Sequence, residues 1–109
     1  MKNKIILVFV LLLLLTGCGK SELDTILESN NYIVIDVRTS EEYNEGHVKD
    51  SINIPYDEIN EEIDLDNTKT LLVYCKSGVR SKIAYDKLKE LGYNAYDLGA
   101  YDKIKMDKE

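Results

Sequence analysis

The chain has 109 residues, of which 31% are charged, and its formal net charge at neutral pH is −6. That length is enough for one small domain, and the acidic balance argues against nucleic acid and against a polybasic membrane-binding face. The only two cysteines are Cys18 and Cys75. The sequence therefore predicts a single small domain in which each cysteine needs its own explanation.

The first 17 residues have the pattern of a secretory signal peptide. Two lysines precede an unbroken run of eleven apolar residues from Ile5 to Leu15, and the polar residues Thr16 and Gly17 follow. Eleven apolar residues are too few for a membrane-spanning helix, which needs about 20. A buried N-terminal helix is the alternative, but the pattern favours a segment that is removed. We therefore predict a signal peptide at residues 1–17.

The stretch that ends at Cys18 resembles the lipobox of bacterial lipoproteins, with the residues Leu-Thr-Gly-Cys at positions 15–18. The resemblance implies cleavage before Cys18 and attachment of diacylglycerol to its thiol. Two acyl chains hold a protein at a membrane where one chain does not. Because residues 1–17 carry two lysines and no acid, their removal takes the net charge from −6 to −8. We expect an extracytoplasmic protein, anchored to a bacterial membrane through Cys18, with residues 18–30 as a tether.

Helix and strand patterns alternate after the anchor. The polar stretch from Ser21 to Asn31 has apolar residues at helical spacing, which predicts a short helix. The β-branched run from Tyr32 to Val37 predicts a strand that is covered on both faces. Ser40 precedes two glutamates and has the pattern of a helix N-cap. Gly46 and His47 together predict a turn.

The middle of the chain is predicted to be less regular. Ser51 to Pro55 forms a short extended piece, which the only proline ends. The segment from Asp57 to Ile63 predicts a helix with two isoleucines on one face. The acidic run from Asp57 to Asp66 predicts a solvated surface, because the glycine that a calcium-binding loop requires is absent.

The second half of the chain repeats the strand and helix pattern. Thr70 to Tyr74 predicts a strand, and the following helix runs through Leu91, with Gly92 at its C′ position. Asn94 to Leu98 predicts a further strand, and the lysine-rich end is expected to fray. This alternation predicts an α/β sandwich over residues 31–109, with a mostly parallel central sheet and helices on both faces.

Cys75 stands where a predicted strand ends and a loop leads into a helix. Ligands bind at this edge of parallel sheets, and the N–H groups of a helix start favour the thiolate, which is the reactive form of cysteine. Gly78 lets the backbone approach a ligand closely. A buried apolar role for the thiol is the alternative. We predict a nucleophile at Cys75. The predicted anion-binding loop consists of Lys76, Ser77, Gly78, Val79 and Arg80.

Seven short motifs follow one another along the predicted domain. They are Ile35–Arg38, Glu41–Tyr43, Gly46–Val48, Ile52–Pro55, Val73–Cys75, Gly78–Ser81 and Leu91–Tyr93. In their order and spacing the chain resembles a single-domain rhodanese, a small three-layer α/β sulfurtransferase. Two departures from the family pattern stand out. Gly99 and Ala100 replace a pair of glycines that a tryptophan follows in the family, and Asp50 and Ser51 stand where Gly-Ala is frequent.

The resemblance implies a thiosulfate sulfurtransferase that works through a Cys75 persulfide and needs no metal or organic cofactor. Its partners would be a small anionic sulfur donor, which Lys76 and Arg80 steer and orient, and a thiol or cyanide acceptor. In the family a loop one residue longer goes with phosphatase chemistry, so the six residues from Cys75 to Arg80 favour sulfur. The alternatives are a non-enzymatic sulfur carrier or protein-binding module at the cell surface, and a small phosphatase or arsenate reductase. We expect a monomer.

Four residues are expected to support the loop structurally: Asp36, Arg38, Glu42 and His47. The resemblance implies that Asp36 and Arg38 form an ordering pair, in which Arg38 bonds to Glu41, Glu42 or the backbone rather than to substrate. His47 is the only histidine, and the resemblance places it in a structural turn. A Cys–His dyad with Cys75 is the alternative role for this histidine.

Overall fold

The computed structural model of the chain describes residues 20–109, so the predicted signal peptide and Cys18 lie outside the described residues. The chain divides into one unit up to Asn30 and a second from residue 31 to residue 109. In the first unit, helix α1 (Glu22–Ser29) confirms the predicted short helix. Its cap is reciprocal: Ser21 Oγ accepts the N–H of Asp24 at 3.1 Å, and the Asp24 carboxylate accepts the Ser21 N–H at 3.3 Å. This capping box explains why a short polar segment is helical.

A four-stranded parallel sheet forms the second unit, in the order β2-β1-β3-β4. Its strands are β1 (Tyr32–Asp36), β2 (Ile52–Asn53), β3 (Thr70–Cys75) and β4 (Asn94–Ala100). Helix α2 (Ser40–Glu45) lies between β1 and β2, and helix α3 (Val79–Glu90) lies between β3 and β4. Parallel crossovers are right-handed, and these two run toward opposite edges of the sheet, which places the helices on opposite faces. The predicted α/β fold with a parallel central sheet is confirmed.

Strand β3 is covered on both faces, as residues 71–75 are all fully buried. Side chains alternate along a strand, so Cys75 points to the face that packs against Ala84 and Leu88 of α3, while Tyr74 points to the other face. Each fully buried aliphatic side chain contributes about 1.5–3 kcal/mol to folding. The strand that carries Cys75 is therefore held firmly in the core.

One predicted helix boundary is wrong, and one predicted helix does not form. The N-cap of α2 is Thr39 and not Ser40, because Thr39 stands three residues before Glu42 and can form a capping box with it. The predicted helix from Asp57 to Ile63 is replaced by a single 3-10 turn, Tyr56–Glu58. Both of its isoleucines still pack against the core, and its acidic residues are exposed as predicted.

The predicted fraying of the lysine-rich end is also wrong. A 3-10 turn, Tyr101–Lys103, follows β4, and Lys108 then forms an antiparallel bridge with Val48. The N–H of His47 donates to the carbonyl of Glu109, and the N–H of Glu109 donates to the carbonyl of His47, both at 2.8 Å. This pairing satisfies backbone groups that would otherwise need water, and it fixes the turn that follows α2. Among the described residues no helix is long and apolar enough to cross a membrane.

Candidate active site

The Cys75 sulfur lies inside a tight loop at the carboxyl edge of the sheet. Two backbone N–H groups point at Cys75 Sγ, that of Gly78 at 3.0 Å and that of Ser81 at 3.3 Å. Gly78 precedes the first residue of α3 and has a φ of 100°, a left-handed conformation that glycine adopts without strain. The chain thereby turns its N–H back toward the sulfur. The loop aims helix-start donors at the sulfur, where they stabilise a negative charge.

These donors change the acidity of the thiol. Burial acts to raise the pKa of Cys75, but hydrogen bonding from Ser81, Gly78 and Ser77 outweighs burial and leaves the pKa lowered. Ser81 contributes through both its hydroxyl and its N–H. The single hydroxyl proton has two acceptors within reach, the Cys75 sulfur and the Gly78 carbonyl at 3.2 Å, and donates to one of them at a time. A lowered pKa and helix-start donors are what a reactive cysteine requires, and they support the role predicted for Cys75.

Ser81 is a site residue that the predicted loop of Lys76 to Arg80 left out. It belongs to the motif Gly78–Ser81, and its place in the first turn of the helix after a cysteine loop is the signal that identifies it. The structure brings the N–H groups of Gly78 and Ser81 onto the sulfur. That the whole loop holds the outer sulfur of a persulfide stays a prediction.

Replacing Ser81 by alanine is expected to raise the pKa of Cys75, because the substitution removes the hydroxyl and keeps the N–H. With less thiolate at pH 7, alkylation of Cys75 should slow about threefold to tenfold, the range for one ordinary hydrogen bond. The two rates should converge at high pH, where both thiols are ionised. Alkylation is followed at the Cys75 peptide by mass spectrometry. Ser77→Ala is the matched control, since Ser77 acts through its N–H; an unchanged rate in Ser81→Ala would contradict the assigned role.

Arg80 forms an ion pair with Glu42 of α2. Its Nη1 donates to Oε1 at 2.7 Å and its Nη2 donates to Oε2 at 3.1 Å, and both side chains are about a quarter exposed. Hydrogen bonding from Arg80 is the main reason that the pKa of Glu42 is lowered to about 2. The pair fastens the first turn of α3 to α2, a contact that the sequence did not predict. That Arg80 orients a sulfur donor stays a prediction.

Asp36 and Arg38 form the expected ordering pair, on the opposite face of the sheet from Cys75. Arg38 Nε lies 3.0 Å from both carboxylate oxygens of Asp36, and Nη2 donates to Oδ2 at 2.6 Å. Nη2 also donates to the carbonyl of Gly46 at 2.6 Å. Of the partners predicted for Arg38, the backbone is confirmed, whereas the structure shows no bond to Glu41 or Glu42. Glu42 instead accepts hydrogen bonds from Arg80.

Tyr74 completes this buried network, and the sequence did not single it out. Its hydroxyl donates to Asp36 Oδ2 at 2.8 Å and accepts the N–H of Val48 at 3.0 Å. Burial is the largest cause that raises the pKa of Tyr74 to about 12, so the hydroxyl stays protonated and able to donate. The alternation of side chains along each strand could have indicated this contact. Asp36 of β1 is paired with Tyr74 of β3, so both side chains lie on the same face of the sheet. The network ties the strand that ends in the cysteine to the turn after α2.

His47 is engaged within that turn. Its Nδ1 lies 2.8 Å from the carbonyl of Tyr43, its ring stacks on the Tyr43 ring at 3.8 Å, and its Nε2 lies 3.3 Å from Glu109 Oε1. Both ring nitrogens therefore have partners other than Cys75. This arrangement fits the structural role expected for His47 and gives no support to a Cys–His dyad.

A cleft of about 270 Å³ opens beside the cysteine loop. It is lined by Arg38, Glu42, Glu45, Gly46, Lys76, Tyr101 and Asp102. Lys76 comes directly after Cys75, so the cleft adjoins the cysteine loop. Across residues 20–109, no group of three or more His, Cys, Asp or Glu side chains is arranged to hold a metal ion. The geometry therefore offers an activated thiol next to a polar cleft.

Comparison with known proteins agrees with this arrangement. Residues 20–107 match the model of the rhodanese-like domain family. The chain is 40% identical over 78 residues to the thiosulfate sulfurtransferase PspE of Escherichia coli strain K12, a match that covers 68% of this chain and 75% of that protein. It is 35% identical over 94 residues to thiosulfate sulfurtransferase/rhodanese-like domain-containing protein 3 of Mus musculus, covering 72% of this chain and 60% of that protein.

The comparison with solved structures also covers most of the chain. A structure of a rhodanese with anions from E. coli matches with a TM-score of 0.66 and 36% sequence identity, over 72% of this chain and 96% of that chain. The family model covers most of this chain, including the strand, loop and helix around Cys75. The chain therefore belongs to the rhodanese-like domain family.

Proposed function

We propose that this protein is a sulfurtransferase in which Cys75 carries the transferred sulfur. The observation that carries the proposal is the Cys75 sulfur with its lowered pKa and its two backbone donors, from Gly78 and Ser81. The Cys75 thiolate attacks the outer sulfur of thiosulfate, the S–S bond of thiosulfate breaks, and its electron pair leaves with sulfite. Cys75 then holds a persulfide, and the negative outer sulfur remains near the loop donors.

The second step returns the thiolate. An acceptor thiolate or cyanide attacks the outer sulfur, a bond to that sulfur forms, and the S–S bond of the persulfide breaks with its electron pair on Cys75 Sγ. Because Cys75 is fully buried, access of the acceptor to the outer sulfur requires a local movement of the loop that begins with the exposed residues Lys76 and Ser77.

Thiosulfate treatment of the full chain in non-ionic detergent tests this proposal. We expect mass spectrometry to show one added sulfur atom on the Cys75 peptide, and cyanide to remove it with release of thiocyanate. A persulfide that forms but passes its sulfur to neither cyanide nor a thiol would indicate a sulfur carrier instead of an enzyme. Absence of the added sulfur would count against both functions.

We also propose that the protein is held at a bacterial membrane, outside the cytoplasm, by lipid on Cys18. The support is the sequence of residues 1–18: a basic start, an apolar run too short to span a bilayer, and a lipobox-like end. Cells that express the full chain and are fed labelled palmitate should yield a labelled protein in the membrane fraction. Cys18→Ser should abolish the label, with Cys75→Ser as the matched control that keeps it. Equal labelling of both variants would contradict the proposal.

A further inference from the structure

Five side chains that are charged at neutral pH line the cleft beside Cys75, but two of them are already engaged in ion pairs. Arg38 is bonded to Asp36 and to the Gly46 carbonyl, and Glu42 is bonded to Arg80. The other three, Lys76, Glu45 and Asp102, take part in no ion pair within the part of the chain that the structure describes, and all three are exposed. The charge available to a ligand is therefore one cation and two carboxylates.

These uncommitted charges come from three different segments of the chain. Lys76 directly follows the nucleophile in the chain, whereas Glu45 ends α2 and Asp102 lies in the 3-10 turn after β4. The Tyr101 ring offers little to a ligand cation, because Arg38 and Lys108 already lie over it at 4.4 and 4.5 Å. A positively charged ligand group would therefore meet the two carboxylates, and a negatively charged one would meet Lys76 next to the sulfur.

We infer that the cleft selects a thiol acceptor that carries an ammonium group, an inference that rests on the sulfurtransferase function proposed for Cys75. The acceptor places its thiolate at the persulfide, beside Lys76, and its ammonium toward Glu45 and Asp102. The same two carboxylates repel the thiosulfate dianion. Sulfur loading and sulfur discharge therefore respond to these carboxylates with opposite signs. Salt screens exposed charges that lie more than about 8 Å apart at physiological ionic strength, so added salt should weaken the effect of these carboxylates.

The chemistry of discharge balances without a further reactant. The acceptor thiolate forms a bond to the outer sulfur, the persulfide S–S bond breaks, and its electron pair returns to Cys75 Sγ. The acceptor leaves as its own persulfide, which keeps the ammonium. Charge is conserved, and no metal, oxidant or reductant takes part in this exchange.

Three thiols of matched size test the inference: cysteamine, 2-mercaptoethanol and 3-mercaptopropionate, whose attacking thiolates carry an ammonium group, a hydroxyl group and a second negative charge. The full chain in non-ionic detergent is loaded with thiosulfate, and the second-order rate constants of loading and of discharge are measured separately. For each thiol, the rate constant of a variant is divided by that of the wild type, so that the intrinsic reactivity of the thiol cancels. The variants are Glu45→Gln, Asp102→Asn and their combination. Glu90→Gln is the matched control, an exposed acid at the far end of α3.

In the double variant we expect discharge by cysteamine to slow about fivefold, and loading by thiosulfate and discharge by 3-mercaptopropionate to accelerate about fivefold. The rate with 2-mercaptoethanol, whose thiolate has one negative charge, should change less than the rate with 3-mercaptopropionate and in the same direction. Added salt should shrink the differences. A variant whose fold is perturbed would have lower rate constants in every reaction. Unchanged rates, or changes of one sign for all reactants, would overturn the inference while leaving the sulfurtransferase intact. Failure of wild type to form a persulfide would overturn both.

Discussion

Cys75→Ser is expected to abolish persulfide formation and to reduce thiosulfate:cyanide turnover by about a thousandfold or more. A serine hydroxyl is ionised far less readily than this thiol and supplies no sulfur for the intermediate. The substitution is nearly isosteric in a fully buried position, and the serine oxygen can still accept the N–H groups of Gly78 and Ser81. The fold should therefore persist, so the loss reports on chemistry.

Cys18→Ser is the matched control, because these two residues are the only cysteines of the chain. We expect the Cys18 variant to keep wild-type turnover when it is assayed in the same detergent. Thiocyanate release and the mass of the Cys75 peptide are the two readouts. Turnover that survives in Cys75→Ser with an unmodified peptide would refute the proposed nucleophile.

The second large effect is on stability. Asp36→Ala should lower the free energy of unfolding by about 3–5 kcal/mol, the usual cost of breaking a buried ion pair. The Asp36 side chain is fully buried, and the variant leaves the guanidinium of Arg38, which is 7% exposed, without its carboxylate. It also removes the acceptor of the Tyr74 hydroxyl. Against the 5–15 kcal/mol that stabilises a typical domain, this loss is large.

Urea unfolding followed by circular dichroism measures this change. Asp57→Ala is the matched control, an exposed acid whose replacement should alter stability by no more than about 0.5 kcal/mol. If Asp36→Ala does not fold, Asp36→Asn keeps the shape and one acceptor oxygen, and a smaller loss in the same direction is expected. Wild-type stability in either Asp36 variant would show that the network does not stabilise the domain.

Most strands and the longest helix could be predicted from local sequence. Tyr32–Asp36 and Thr70–Cys75 form the expected buried strands, because β-branched and apolar runs of this length suit a parallel sheet. Helix α3 ends one residue before the predicted Leu91, and Gly92 follows with a φ of 93°. The cysteine loop was also predictable, because a strand, a glycine-containing turn and a helix follow one another directly.

The wrong predictions concern segments whose state depends on competing local bonds or on distant partners. In the predicted helix from Asp57 to Ile63, the Asn60 side chain accepts the N–H of Glu62 at 2.9 Å, a bond that competes with the helical pattern. At the lysine-rich end, the order comes from pairing with residues 47–49, about 60 positions earlier in the chain. No local pattern encodes such pairing, because strand partners are chosen during tertiary packing.

The sequence by itself determined the loop length and the α/β order and pointed to Cys75 as the proposed nucleophile, because these depend on neighbouring residues and on periodicity. Tertiary structure alone decided how Cys75 is supported: by the Arg80–Glu42 ion pair and by the Tyr74–Asp36 bond, each between residues 38 positions apart. It also decided which charges in the cleft remain uncommitted. The physical reason is that parallel pairing of β1 with β3 brings distant segments to one edge of the sheet, where side chains find their partners by proximity in space.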